Sequence, residues 1–141
     1  MNIRLSCVAD VKKYKGAFII YKGGRAEVSN VFAIPNKGFE SKLKEYTFES
    51  LIRGLRNVRG MVNHDDLLLI ELPNGHMVDW LNGKKEYKGY NEYLDIVSEI
   101  MDTLDCRYLF TKSSVKDAKR LIDLEVTKVQ TQGIVDAFEG M

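Results

Sequence analysis

At 141 residues the chain has the length of one ordinary domain and is long enough to bury most of its apolar surface. Its 45% hydrophobic and 29% charged residues with only 2 prolines support a packed core and exclude a disordered chain. A formal net charge of +1 lacks the large basic excess that marks an all-over nucleic-acid binder, so any such contact must come from local patches.

In chain order, Ile3 to Asp10 alternates apolar residues at 3, 5, 7 and 9 and predicts a strand that ends in the charged turn Lys12 to Gly16. Ala17 to Tyr21 and Glu27 to Ile34 are rich in β-formers, and Lys22-Gly23-Gly24-Arg25 between them predicts a tight hairpin turn. After Pro35 to Gly38, the apolar residues Phe48, Leu51, Ile52, Leu55 and Val58 fall at helical spacing, with Thr47 as the expected N-cap. Asn63 to Asp66 then precedes Leu67 to Ile70, a continuous apolar run of the kind that forms a central strand buried on both faces. A short helix is expected from His76 to Leu81, with Trp80 assigned to packing, and the polar loop Lys84 to Lys88 follows it. The spacing of Tyr93, Leu94, Val97, Ile100, Met101 and Leu104 predicts a second long helix. A strand from Cys106 to Phe110, a loop from Thr111 to Ser114 and a helix with Val115, Ala118, Leu121 and Ile122 inward complete the domain. Residues 1–130 are expected to form that domain, and 131–141 a tail in which Ile134, Val135, Ala137 and Phe138 form either a docked turn or a sticky segment.

The opening segment, with Arg4 inside it, does not read as a signal peptide, and no run approaches the ~18 apolar residues of a membrane span. Cys7 and Cys106 each sit in an apolar segment and read as buried free thiols. A cytoplasmic protein without membrane contact is the resulting expectation. His64 and His76 have no second ligand at metal spacing. Phosphate-binding loops, serine-nucleophile elbows and dinucleotide fingerprints are also lacking.

The order β-β-β-α-β-α-α-β-α resembles the ribonuclease H-like superfamily. Gly16 to Gly24 looks like that family's second strand and turn, Phe48-Glu49-Ser-Leu-Ile like its glutamate-bearing first helix, Met77 to Gly83 like the helix after its central strand, and Asp117 to Leu121 like its final acidic helix. The resemblance covers nearly the whole chain. It implies an α/β fold with a mixed sheet, three antiparallel strands first and alternating helices and parallel strands after, flanked by helices. It also implies cleavage of nucleic acid by carboxylates that hold two Mg²⁺ ions. Carried over by position, Asp10, Glu49 and Asp117 would be the metal ligands. The central-strand aspartate has no counterpart, since Leu72 or Pro73 falls there, and Glu71, on the same strand face as Pro73, is its nearest replacement. The sequence departs from the family in three further places: the short lysine-bearing loop after Asp10, Glu45-Tyr46-Thr47 before the glutamate, and the shrunken Thr111 to Ser114 loop.

Each candidate also has an ordinary explanation. Asp10 would cap its own turn, Glu49 would pair with Arg53, and Asp117 would sit at a helix N-terminus with Arg120 three residues on. Lys12, Lys13, Lys15, Lys112, Lys116, Lys119 and Arg120 would flank a substrate groove and neutralise phosphates, with Tyr14 as a stacking surface. The leading expectation is a ribonuclease H-like domain that binds nucleic acid or a protein partner with cleavage lost or impaired. The alternatives are an active Mg²⁺-dependent nuclease using Asp10, Glu49, Glu71 and Asp117, and a purely structural or protein-interaction module.

Overall fold

The computed structural model describes residues 2–34, 43–83 and 91–124. The turn from Pro35 to Gly38, the loop from Lys84 to Lys88 and the tail 131–141 lie outside the described residues. The strands are β1 (Asn2–Asp10), β2 (Lys15–Lys22), β3 (Arg25–Ala33), β4 (Leu67–Leu72) and β5 (Arg107–Lys112), and the helices α1 (Leu43–Val58), α2 (Gly75–Leu81) and α3 (Asn91–Asp102), followed by α4 over 116–124. The element order is the one expected from the sequence. Among the described residues no helix is long and apolar enough to cross a membrane.

One sheet runs in the order β3-β2-β1-β4-β5. The first three strands pair antiparallel, while β1–β4 and β4–β5 are parallel. Gly23 and Gly24 both take positive φ, 60° and 80°, which is what a two-residue turn matched to the twist of its strands requires.

Strand β1 is central, and its two sets of side chains face different helical layers. Ile3, Leu5 and Cys7 are fully buried with Phe48, Leu51 and Leu55 of α1, in the larger apolar cluster. The α1 and α3 helices lie together on this side, where Phe48 and Tyr93 stack with centroids 5.2 Å apart. On the other face Val8, Ala17 and Ile19 pack with Val115, Ala118 and Ile122 around α4. Each fully buried aliphatic or aromatic side chain contributes about 1.5–3 kcal/mol, so the helical layers on both faces hold the sheet.

Three local expectations are corrected. Helix α1 begins four residues before Thr47, whose Oγ1 donates to the Leu43 carbonyl at 2.8 Å. Thr47 is thus a mid-helix residue bonded one turn back, an alternative that threonine shares with capping. Thr111 and Lys112 extend β5 instead of forming a loop, because Glu71 and Leu72 of β4 continue the pairing. Cys7 is fully buried as expected, but Cys106 is only partly so. Trp80, 8% exposed, belongs to the core.

Candidate functional site

The parallel register of β1 and β4 sets the site. Ser6 is the Cα partner of Glu71, and Arg4 that of Leu69. Ser6, 4% exposed, donates from Oγ to Glu71 Oε1 at 2.6 Å. Arg4 Nε lies 3.2 Å from the same oxygen. The Arg4 guanidinium also covers the Tyr21 ring at 4.1 Å, and the Tyr21 hydroxyl donates to Asp117 Oδ2 at 3.1 Å. A continuous chain of contacts therefore runs Ser6, Glu71, Arg4, Tyr21, Asp117, from β1 through β4 and β2 to the first turn of α4. It lines a cavity of about 240 Å³ that Ser113, Ser114 and Lys116 complete.

The loop that launches α4 fixes one wall. Val115 takes φ 46°, a left-handed conformation costly for a β-branched residue. It is held there by burial at 5% exposure and by a hydrogen bond from its N–H to Ser113 Oγ at 3.3 Å. The next two residues, Lys116 and Asp117, line the cavity. Burial, and then the bond to Asp117, push the Tyr21 hydroxyl above its ordinary pKa.

Of the residues singled out from sequence, Glu71, Lys116 and Asp117 line this one cavity. Asp10 does not. It lies four positions beyond Ser6 on β1, about 13 Å along the strand at the usual rise. Its Oδ1 accepts from the N–H groups of Lys12 at 2.9 Å and Lys13 at 3.2 Å, so it caps the β1–β2 turn. Glu49 is half-buried on α1, next to Ser50, whose Oγ donates to the Val8 carbonyl at 2.7 Å. Arg53, its expected partner, lies over the Phe32 ring at 4.2 Å. His64 sits beside Asp105 at 3.2 Å on the surface, and His76 stacks on Trp80 in the first turn of α2. The sequence reading missed Arg4, Ser6 and Tyr21. The alternation of Ile3, Leu5 and Cys7 gave no signal for the first two, because polar residues such as Arg4 and Ser6 are what an alternating strand carries on its other face.

Magnesium needs several hard oxygen donors directed at one point. Among the described residues no group of three or more His, Cys, Asp or Glu side chains is placed to hold a metal ion, and Glu71 Oε1 is already shared by Ser6 and Arg4. The described side chains do not fit the ion.

Of the basic residues, those of the β1–β2 turn and of α4 are linked by one contact. Lys12 and Lys13 are exposed on the β1–β2 turn, and Lys13 pairs with Asp123 of α4, which raises the lysine's pKa through that hydrogen bond. Lys116, Lys119 and Arg120 are exposed on the same helix. Lys112 lies at the end of β5, with its side chain near Gly75.

Comparison with solved structures identifies the fold. The N-terminal RNase H domain of a Mycobacterium tuberculosis protein, determined as a fusion with maltose-binding protein, superposes with a TM-score of 0.68 at 11% identity, over 86% of this chain and 95% of that one. The fold is that of ribonuclease H. RNase H1 from the halophilic archaeon Halobacterium salinarum gives 0.68 at 12% identity, covering 85% and 91%. LC11-RNase H1 in complex with an RNA/DNA hybrid gives 0.64 at 15% identity, covering 84% and 88%. No family model and no curated protein matches the chain. At these identities the likeness to ribonuclease H is one of fold.

Proposed function

We propose that this chain is a ribonuclease H-like module that binds nucleic acid, with metal-dependent cleavage lost or impaired. The observation that carries the reading is the Lys13–Asp123 pair. It joins the β1–β2 turn to α4 one turn beyond Lys119 and Arg120, so that basic residues far apart in sequence are brought to neighbouring segments. Such a grouping suits a phosphate backbone, whose neutralisation releases counterions and supplies most of the sequence-independent affinity. The RNA/DNA hybrid held by LC11-RNase H1 makes hybrid the first ligand to test. The loss of cleavage is supported by Ser6, a neutral residue where a carboxylate beside Glu71 would be needed, and by the distance along β1 to Asp10.

The test incubates the protein with labelled RNA/DNA hybrid, duplex and single strands, with Mg²⁺, Mn²⁺ or chelator, and reads anisotropy and denaturing gels from the same samples. The expected result is binding that weakens steeply with salt and with charge reversal at Lys119 and Arg120, and no metal-dependent product. Metal-dependent cleavage abolished by Glu71→Gln would establish the nuclease alternative. Absence of binding to every nucleic acid would leave the protein-interaction alternative.

A further inference from the structure

The carboxylates of the cavity have a cation of their own. Arg4 Nε reaches Glu71 Oε1 at 3.2 Å, the Glu71 side chain being 17% exposed and that of Arg4 45%. The guanidinium is fixed in place a second time by the Tyr21 ring at 4.1 Å, and Tyr21 in turn holds Asp117. A guanidinium stays protonated at every ordinary pH and offers up to five donors in a rigid fork. It thus neutralises a carboxylate without the coordination geometry that a metal demands. Both carboxylates of the cavity are tied into its contacts, one directly and one through the phenol, while Ser6 donates to the remaining lone-pair space of the same Glu71 oxygen.

We infer that Arg4 is the resident cation of this site and keeps divalent ions out of it. The inference rests on the reading above that the site no longer performs metal chemistry, and it supplies the physical reason: an ion approaching Glu71 and Asp117 meets a fixed positive charge already paired with one of them. Replacing Arg4 with a neutral side chain leaves Glu71 with the Ser6 hydrogen bond alone and removes that charge. The two carboxylates then face a common cavity in which the exposed Lys116 is the remaining lining cation, and the loss of the charge paired with Glu71 makes the cavity more attractive to a divalent ion.

The test uses isotopically labelled full-length protein without nucleic acid and titrates Mn²⁺ alone. Paramagnetic broadening is read at the amides of Ser6, Glu71 and Asp117. Wild type and Arg4→Lys, which keeps the charge, are expected to show no selective broadening at these amides. Arg4→Met and Arg4→Gln are expected to broaden them at Mn²⁺ concentrations at least tenfold lower than any effect in wild type. In wild type the Arg4 Nε–H is expected to exchange slowly with solvent, and Glu71→Gln to accelerate that exchange several-fold. Selective broadening in wild type, or no gain in whichever neutral variant is folded, overturns the inference, as does Arg4 Nε–H exchange that Glu71→Gln leaves unchanged. Because no nucleic acid is present, these outcomes are independent of whether the protein binds hybrid.

Discussion

The Tyr21 hydroxyl and Asp117 Oδ2, 96 residues apart in sequence, meet at 3.1 Å and fasten the first turn of α4 to the second strand. Burial and this hydrogen bond raise the tyrosine above its ordinary value of 10.0. A group whose folded pKa is raised stabilises the fold below its unfolded pKa and ceases to do so as pH rises through the folded one. The contribution is therefore complete at neutral pH and is lost above about pH 10, the unperturbed tyrosine value. Tyr21→Phe should cost about 1 kcal/mol or less at neutral pH, in line with a partly solvated hydrogen bond. It should also remove that part of the alkaline loss of stability. Urea unfolding across the alkaline range, wild type against variant, measures both.

Gly16 faces Ser50 and Phe32 so closely that an added Cβ would collide with Ser50 Oγ and lie 2.7 Å from Phe32 Cζ. Ser50 cannot turn away without giving up its bond to the Val8 carbonyl. Gly16→Ala should therefore destabilise the fold by roughly 1–3 kcal/mol, the usual range for overpacking a filled core. A downward shift in the urea midpoint with an unchanged slope would show it. An unchanged midpoint would contradict the close packing of Gly16 against Ser50 and Phe32.

Cys7 is fully buried, and burial, with Glu71 nearby, pushes its thiol far above the ordinary range. Cys106 is only partly covered, and its thiol is raised less severely, by burial and then by Asp66 and Asp105. Since the thiolate is the reactive form, brief alkylation of the native protein at neutral pH should modify Cys106 slowly and Cys7 not at all. Mass spectrometry after peptide digestion distinguishes the two, and denaturant should make them equally reactive.

Most of the fold could be read from the sequence because its signals are local. The alternation at Ile3, Leu5 and Cys7, the Gly23-Gly24 turn and the helical spacing from Phe48 to Val58 each report on their immediate neighbours. The start of α1 was misplaced because a threonine hydroxyl serves equally to cap a helix or to bond one turn back inside it. The candidate site was harder to read because it depends on register. Aligning Asp10 by its place at the end of a strand ignores which residue of β1 faces Glu71, and only the β1–β4 pairing shows that Ser6 does. Tyr21 had no local signal at all, since its role comes from a helix that begins some 95 residues later.

If Lys119 and Arg120 contact phosphates, each should contribute to the salt dependence of binding. Removing one such contact on a duplex should reduce the slope of log affinity against log salt by roughly 0.9. Lys119→Ala and Arg120→Ala, measured by anisotropy over a range of salt, should each flatten the slope by about that amount and weaken binding to all sequences alike. A variant that lowers affinity with an unchanged slope would mean that the residue supports the fold and not the phosphate contact.

The most direct measurement of the central claim is an amide chemical-shift map of the labelled protein titrated with RNA/DNA hybrid in the presence of Mg²⁺. Shifts are expected to concentrate at Lys12 to Lys15 and at 116–120 and to saturate together, with the hybrid recovered intact. Shifts confined to β5 and α3, no shifts at all, or hybrid that is cut as the titration proceeds would contradict that claim.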